Sequence, residues 1–530
     1  MKNRKLKLTL LTLLPAILFW LAWPPRDLFF LSFVAFVPLF MLEEETKDIK
    51  YGAWIIYLSL LLWNAAISWW VWNAEATSSI VMMVANAGLM YLPWLGYRKA
   101  KTILSPSRAF LVFVSLWLSY EYLHLTWEIT WPWFMLGNIF AKHNVVVQWY
   151  EITGALGGSL WVLIANVVLY KAILKAGTWK KWIAPASWIV IPMLISIPFY
   201  LNSKLDQSLF TPHDLYTHET LLVQPNVDPY LKFDESTKVS NLVDMLAMAE
   251  KEITPNTKYV IMPETAVVEY VDEDNPYQYK SIQVLKEFTK KHPQIHLITG
   301  ISTYNFYDEG EPMSETARQI ESGQYYESYN TALEMNSAGQ IDLYHKGKLV
   351  PGAEKMPYPF LFGFLEYFAL DMGGITGSLG SDPYPKNFDA GEKPDLAPLI
   401  CYESVFPGHV ADFTRRGAEI LLVITNDGWW RDTDGYKQHM YYACLRAIEN
   451  RREVLRSANT GITCRINALG EITERTEWWE PTVLKVNAQK HTRLTFYSRY
   501  GDYIGRFGSF IGIFFVLGMF VKKRSRIGSI

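Results

Sequence analysis

The stretch "LAPLICYES", residues 396–404, is an apolar run of strand character that ends in a cysteine, and it decides the fold expected of this chain. Two other runs also end near a charged residue. "KYVIMPETAV", residues 258–267, carries Glu264, and "LYHKGKLVPGAE", residues 343–354, carries Lys346. Short apolar runs bounded by turn residues are typical of buried strands. The pattern predicts an α/β domain with reactive side chains at strand ends.

The rest of the segment 204–496 repeats this pattern. Further β-rich runs are "ETLLVQPNV", "IHLITGIS" and "AEILLVITNDG", and "SNLVDMLAMAEKE" has the period of a helix. A hairpin is expected around the turn at Asn336–Gly339. Alternating strands and helices indicate an α/β architecture for the whole segment.

The two ends of the chain have a different composition. Half of all residues are hydrophobic and only 19% are charged. About eight apolar runs are candidate membrane spans: 8–24, 28–42, 53–73, 79–96, 109–125, 156–174, 183–201 and 507–521. We therefore expect a seven-span membrane domain at 1–203, a soluble domain at 204–496, and a last span with its tail at 497–530.

Lysine and arginine residues alternate between the connections of these spans. The basic connections hold Lys2, Arg4, Lys5, Lys7, Lys47, Lys50, Arg98, Lys99, Lys101, Arg108, Lys175, Lys180, Lys181, Lys522, Lys523, Arg524 and Arg526. The other connections carry only Arg26 and Lys142. Because basic loops stay in the cytoplasm, both termini are expected there and the segment 204–496 is expected outside.

The strand-end residues suit nucleophilic acyl chemistry. A cysteine between a strand and a helix is expected to favour the thiolate, a nearby carboxylate can accept its proton, and an ammonium can stabilise an oxyanion. Cys401 would be the cysteine and Glu264 the carboxylate, and Lys346 or Lys348 would supply the ammonium. Taken alone, Cys401 could equally be a small buried side chain, and the sequence does not show that these residues meet.

Several motifs in order resemble a known family. "PET", "Y-x-K-x-x-L-V-P-x-x-E", "CYES" and "ITNDGWW" resemble the nitrilase (carbon–nitrogen hydrolase) superfamily with its Glu-Lys-Cys triad. "LLVQPNVDPYLKFDE", "KLVPGAEKMPY", "QHMYYACLRAIENRREVLRSANTGIT" and "TFYSRYGD" look like the apolipoprotein N-acyltransferase branch. That resemblance implies a membrane α-helical bundle carrying an extracytoplasmic nitrilase-like domain, an αββα sandwich.

The resemblance also implies roles for individual residues. Glu264 would be the general base, Lys346 the oxyanion partner and Cys401 the nucleophile. Lys346 is preferred to Lys348 because it stands eight residues before Glu354, which matches the family's second essential glutamate. The remaining supporting or substrate-binding positions are Tyr402, Glu403 and Phe233, the last at a place where the family usually carries Trp. We expect Glu403 to orient the acceptor amine or the loop around it.

The implied reaction passes through an acyl-enzyme. Cys401 would take an acyl chain from a phospholipid as a thioester and pass it to the N-terminal amine of a diacylglyceryl apolipoprotein. The implied location is the cell inner (cytoplasmic) membrane, with the catalytic domain facing the periplasm. No cofactor, metal ion or nucleic acid is expected.

Other interpretations remain open on the sequence alone. The same triad would serve a membrane-tethered amidase or nitrilase, and a transporter or receptor with a ligand-binding external domain belongs to a different class. The apolar stretch 356–380 is interpreted either as a lid with hinges at Gly373, Gly374 and Gly377 or as a core helix plus loop. His439 and Arg446 are expected to make structural hydrogen bonds, and Cys444 and Cys464 to be buried.

Overall fold

The computed structural model describes residues 2–209, 217–232, 237–362, 378–389, 391 and 395–527. The chain divides into two units, which we call the helical unit and the α/β unit. The helical unit comprises Met1–Ser203 with Tyr500–Ile530, and the α/β unit comprises Lys204–Arg499.

The helical unit begins with eight α-helices. They are α1 (Lys2–Ala22), α2 (Val37–Thr46), α3 (Gly52–Ser68), α4 (Ala76–Ile103), α5 (Pro106–Thr126), α6 (Tyr150–Thr153), α7 (Ala155–Leu174) and α8 (Ile183–Leu209). In the described part of the chain, seven helices are long and apolar enough to cross a membrane. Their spans are Asn3–Ala22, Gly52–Asn73, Ala76–Ile103, Pro106–Thr126, Ala155–Leu174, Trp179–Leu205 and Tyr503–Lys522.

The second apolar run, predicted as a span at 28–42, does not form one helix. It folds as a short 3-10 helix, Phe29–Phe33, followed by the ten-residue α2. Asn166 of α7 lies at the break. Its side chain accepts from Phe36 N at 2.9 Å and donates to Ser32 O at 2.8 Å. A buried amide therefore satisfies backbone groups that the interrupted helix leaves open.

The broken run nevertheless returns to the side where α1 begins. Lys7 Nζ lies 2.6 Å from Glu45 Oε1, near the end of α2. Arg98 Nε lies 3.1 Å from Glu43 Oε1, so the end of α4 reaches the same place. On the described residues, the eight predicted runs are therefore seven regular helices and one broken segment.

The α/β unit contains two sheets. The first has the order β13-β1-β2-β4-β6-β5, with β3 beside β4 and β7 beside β6. Its strands are β1 (Thr217–Gln224), β2 (Thr257–Ile261), β3 (Val267–Asp272), β4 (His296–Phe306), β5 (Arg318–Gln319), β6 (Tyr325–Met335), β7 (Ile341–His345) and β13 (Thr482–Gln489). The second sheet, in the order β12-β11-β10-β9-β8, has the strands β8 (Leu396–Ile400), β9 (Ile420–Thr425), β10 (Glu453–Ala458), β11 (Cys464–Ile466) and β12 (Ile472–Arg475).

The described helices of the α/β unit are α9 (Lys238–Glu250), α10 (Lys280–Lys291), α11 (Pro359–Phe362), α12 (Pro407–Arg415), α13 (Asp434–Asn450) and α14 (Phe496–Tyr500), which is followed by α15 (Tyr503–Ile527) of the helical unit. α9 and α10 pack on the first sheet, and α12 and α13 pack on the second. Successive side chains of a strand point to opposite faces. Leu222 of β1 accordingly packs with the second sheet and α13, whereas Leu221 and Val223 pack with α9 and α10. The predicted αββα sandwich is confirmed.

Strand direction places the candidate residues. β2 and β4 are parallel, β6 is antiparallel to β4, and β7 is antiparallel to β6. β2, β4 and β7 therefore end at the same edge of the first sheet. In the second sheet β8, β9 and β10 are parallel and likewise end together.

Candidate active site

Each residue of the predicted triad follows a strand. Glu264 lies three residues beyond β2, Lys346 comes directly after β7, and Cys401 comes directly after β8. Because β2 and β7 end at one edge, their terminal side chains can meet there. This is the arrangement that sequence reasoning could propose but not establish.

Lys346 lies between two carboxylates. Its Nζ is 3.1 Å from Glu264 Oε1 and 2.8 Å from Glu354 Oε1. Asn330 Nδ2, on β6, donates to the same two oxygens at 2.9 Å each. We call Glu264, Asn330, Lys346 and Glu354 the carboxylate–lysine cluster. Lys346 is only 1% exposed, so its ammonium depends on these partners for the solvation that water would otherwise supply.

The charges in this cluster support one another. Burial by itself would raise the pKa of Glu264, but Lys346, the Asn330 amide and Lys232 bring it below its ordinary value. Burial would likewise lower the pKa of Lys346, but Glu264 and Glu354 hold it well above its ordinary value. The resting state is therefore a carboxylate beside an ammonium.

Lys232 is a second buried lysine at the site. Its Nζ donates to the backbone oxygen of Glu264 at 3.4 Å. Burial lowers the pKa of Lys232 to about 8, against the opposing influence of Glu264 and Cys401. This lysine lies within "YLKFDE", and the motif pattern does not indicate a role for it. The available signal was a lysine adjacent to a motif position, which spacing alone does not distinguish from a solvated residue.

Cys401 has an unusual backbone and a thiol whose pKa is raised. Its φ is 51°, in the left-handed region that a residue with a Cβ seldom adopts. Burial raises the pKa of the thiol and Glu264 raises it further, while Lys346 opposes the shift. The expectation that the strand-to-helix position favours thiolate is therefore wrong for the resting site. The helix that starts at Cys401 is a five-residue 3-10 helix, and it does not offset the burial.

A second ionic cluster lies behind the Cys401 backbone. His439 of α13 lies with its Nδ1 3.0 Å from Asp427 Oδ1 and 3.2 Å from Arg456 Nη2. Arg456 of β10 also pairs with Asp427 Oδ2. The other ring nitrogen, Nε2, donates to the backbone oxygen of Cys401 at 3.1 Å. We call Asp427, His439 and Arg456 the histidine cluster, and all three side chains are fully buried.

The buried carboxylate of Glu403 links two segments of the site through hydrogen bonds. Its carboxylate accepts from Tyr344 Oη at 2.6 Å, from Ile400 N at 2.7 Å and from Gly347 N at 2.8 Å, and His409 Nε2 lies 2.9 Å from it. The carboxylate therefore joins the Cys401 segment to the backbone next to Lys346. Of the two expectations for Glu403, this burial favours holding the loop over touching the acceptor amine.

The structure separates the two candidate lysines. Lys348 Nζ lies over the ring of Phe406, 5.5 Å from its centroid, and Lys346 alone of the two contacts the carboxylates of the cluster. Tyr402 is buried, with its ring edge against Phe406 at 5.1 Å between centroids.

The α/β unit matches the family model described as carbon-nitrogen hydrolase over residues 222–495. This chain belongs to the carbon-nitrogen hydrolase family. Residues 15–168 match a second family model, the apolipoprotein N-acyltransferase N-terminal domain. The resemblance to that branch of the family is therefore confirmed for both units, and the chain is a multi-pass membrane protein.

Similar proteins align with most of this chain. An apolipoprotein N-acyltransferase from Chlorobaculum tepidum is 29% identical over 520 residues, which are 95% of this chain and 94% of the relative. One from Thermotoga maritima is 26% identical over 433 residues, 80% of this chain and 74% of the relative. The solved structure of an amidase from Nesterenkonia sp. is 17% identical with a TM-score of 0.36, covering 52% of this chain and 92% of the amidase.

Two predictions fall on residues outside the described part of the chain. Phe233 is one of them. The other is the stretch 356–380, which is described only at 356–362 and 378–380, so the three glycine hinges lie outside it as well. The remaining cysteines follow expectation. Cys444 and Cys464 are buried, and burial raises the pKa of Cys464 to about 12.

Proposed function

We propose that this protein transfers an acyl chain from a membrane phospholipid, through a thioester on Cys401, to the N-terminal amine of the diacylglyceryl cysteine of apolipoproteins. The observation that carries the proposal is the pairing of Lys346 with both Glu264 and Glu354 at the strand edge, in a chain that also has the helical unit. An ammonium and a carboxylate placed together suit acyl transfer to and from a thiol.

The first half-reaction makes the thioester. Glu264 takes the Sγ proton of Cys401 as the sulfur attacks the ester carbonyl carbon of the phospholipid. The resulting oxyanion is stabilised by the Lys346 ammonium. When the C–O bond breaks, the leaving glycerol oxygen takes the proton from Glu264, and lysophospholipid departs. The raised pKa of the Cys401 thiol makes this base necessary, because little thiolate is present beforehand.

The second half-reaction uses the same groups in reverse. The neutral α-amine of the acceptor attacks the thioester carbonyl, and Glu264 accepts the proton that the amine loses. Lys346 stabilises the second oxyanion, and the Cys401 sulfur leaves and is reprotonated by Glu264. The product is an amide, and the enzyme returns to its starting state. Glu354 and Asn330 keep Lys346 directed at the site in both halves.

The helical unit is consistent with two substrates that are both anchored in a lipid bilayer. Donor and acceptor both carry acyl chains, so chemistry at a membrane surface avoids withdrawing them into water. We place the protein in the cytoplasmic membrane with the α/β unit outside. Lys7 pairs with Glu45 and Arg98 with Glu43, so these two basic connections lie at the same end of α2, which agrees with the basic-connection pattern. A reporter active only in the cytoplasm, inserted at the exposed Ser337–Ala338 turn, should be silent; activity would reverse this orientation.

One experiment separates this proposal from a membrane-tethered amidase. Purified enzyme is incubated with phospholipid vesicles and a synthetic diacylglyceryl peptide, and the peptide is analysed by mass spectrometry. An added acyl chain on the α-amine, absent with an N-acetylated control peptide, is the expected product. Ammonia release from small amides, without acyl transfer to the peptide, would instead establish the amidase.

A further inference from the structure

The backbone oxygen of Cys401 is held from the buried side. It accepts a hydrogen bond from Ser404 Oγ at 2.8 Å and one from His439 Nε2 at 3.1 Å. Both partners are fully buried. A carbonyl that accepts two such bonds has a fixed direction, which matters here because Cys401 has the strained φ of 51°.

His439 is itself fixed in orientation. Its Nδ1 faces Asp427 Oδ1 at 3.0 Å, and Asp427 is in turn paired with Arg456 and accepts from Thr425 Oγ1 at 2.9 Å. The Trp430 ring lies edge-on to the imidazole, with 5.6 Å between centroids. Nε2 faces the Cys401 backbone oxygen at 3.1 Å and Ser404 Oγ at 2.9 Å. Because the carbonyl only accepts, and the Ser404 hydroxyl hydrogen is already donated to it, Nε2 carries the hydrogen in this pair of contacts.

The direction of the carbonyl determines the direction of the next N–H. In a trans peptide the C=O and N–H bonds lie in one plane and point to opposite sides. The Cys401 oxygen points toward the buried His439, so the Tyr402 N–H points away from the histidine cluster. An N–H group that points this way suits the oxyanion of an acyl group bonded to the Cys401 sulfur. There it would act together with the Lys346 ammonium.

We infer that His439 is a positioning residue for the oxyanion site. By holding the Cys401 carbonyl, it presents the Tyr402 backbone N–H to the tetrahedral intermediates of both half-reactions. Asp427 and Arg456 keep the imidazole in place. This inference rests on the proposed acyl-transfer chemistry at Cys401 but does not depend on which ester supplies the acyl group.

The test compares two reactions of the same thiol. Acylation of Cys401 by p-nitrophenyl butyrate passes through a tetrahedral oxyanion, whereas alkylation by iodoacetamide displaces iodide at a saturated carbon and forms none. Both rates are measured on the full chain in detergent by mass spectrometry of the peptide that contains Cys401. A change in thiol ionisation or access alters both rates, but loss of the oxyanion donor alters only the first.

Two variants change the relevant contact in opposite ways. The shorter amide of His439→Asn reaches the Nδ1 position and leaves the Cys401 oxygen with the Ser404 hydroxyl but without its imidazole donor. The amide nitrogen of His439→Gln lies near the Nε2 position and restores it. Removing an oxyanion donor outright costs about 100-fold or more in rate, whereas His439→Asn only loosens the peptide that carries the donor, because Ser404 still holds the Cys401 oxygen. We expect His439→Asn to slow acylation by about tenfold with alkylation within about threefold, and His439→Gln to recover most of that loss.

His296→Asn is the matched control. His296 also pairs with a carboxylate in the α/β unit, Glu334 on β6, and both have side chains little exposed to solvent. Its ratio of acylation to alkylation should equal that of the unchanged protein. Equal loss of both reactions in His439→Asn, or unchanged acylation, would overturn the inference. Because the small ester forms the same oxyanion as a phospholipid ester, this result is independent of the donor test for the proposed function.

Discussion

The carboxylate–lysine cluster and the histidine cluster both act on Cys401, and each pairs opposite charges in a largely buried setting. They differ in what they contact. Among the described residues, the Lys346 ammonium pairs with the side chains of Glu264 and Glu354, and both Lys346 and Glu264 influence the pKa of the Cys401 thiol. His439 instead contacts the Cys401 backbone oxygen. Burial and charge therefore do not distinguish groups that take part in the chemistry from groups that position the backbone. The atom that each group contacts does distinguish them.

The largest expected effect comes from Glu264→Gln. The amide has nearly the shape of the carboxylate but accepts no proton from the thiol, so acylation of Cys401 by phospholipid should fall at least about 1000-fold. The melting temperature should change little, because Lys346 keeps Glu354 as an ionic partner. The acylation rate and a thermal melt of the same preparation give both quantities. Acylation retained within tenfold would remove Glu264 from the role of base.

The matched change in the histidine cluster, Asp427→Asn, should lower stability more and acylation less than Glu264→Gln does. It leaves the fully buried Arg456 without its carboxylate, and breaking a buried pair costs about 3–5 kcal/mol of unfolding free energy. The melting temperature in detergent should fall clearly, and acylation of the folded fraction should fall less than in Glu264→Gln. An undisturbed melting temperature with a 1000-fold loss of acylation would make Asp427 a chemical group and erase the contrast.

An intermediate effect is expected for Glu403→Gln. The new amide group would place a donor opposite N–H and O–H groups that now donate to the carboxylate, among them Gly347 N and Ile400 N. Both the Cys401 segment and the backbone next to Lys346 should shift, so we expect about 100-fold losses in thioester formation and in transfer alike. A fully loaded enzyme that fails only to pass its acyl chain would instead place Glu403 at the acceptor.

The smallest effect is expected at a third, more exposed cluster. His345 Nε2 lies 2.8 Å from Glu273 Oε1 and its Nδ1 3.2 Å from Asp382 Oδ1. Burial opposes protonation, but the two carboxylates raise the pKa of His345 to about 9. Because this exceeds the unfolded value of about 6.5, the stabilisation is complete below pH 6.5 and is lost as pH rises through 9.

Replacing this histidine should therefore matter most in acid. His345→Gln should lower the melting temperature most near pH 6, by an amount that corresponds to about 2 kcal/mol after allowance for screening. By pH 10 the two melting curves should nearly coincide. A difference that is constant from pH 6 to 10 would show that packing, for example the stacking on Tyr329, outweighs the charge.

The sequence was informative where function depends on strand ends. The positions of Glu264, Lys346 and Cys401 follow from local β patterns and motifs, and the meeting of Glu264 with Lys346 follows once strand directions are known. The break in the second membrane run was not foreseen, because hydropathy does not indicate that Asn166, more than a hundred residues away, would satisfy the open backbone groups. The raised pKa of the Cys401 thiol was also missed, because burial depends on the tertiary structure.

The role of His439 shows the same limit. Sequence reasoning placed His439 and Arg446 on one helix face and expected structural hydrogen bonds. What it could not supply is that one acceptor is the backbone oxygen of Cys401, on a different strand connection. Lys232 is similar, because its approach to the Glu264 backbone depends on how the β1 and β2 connections fold together.

The central claim is that Cys401 carries the acyl chain between donor and acceptor. The most direct measurement incubates the full-length enzyme with a single defined phospholipid and no acceptor, then locates any added mass by peptide mapping. The account predicts one acyl chain on the peptide containing Cys401, removed by hydroxylamine as a thioester is, and no such adduct in Cys401→Ser. Acyl transfer to a diacylglyceryl peptide by Cys401→Ser, or an acyl adduct found on Cys444 or Cys464 instead, would contradict it.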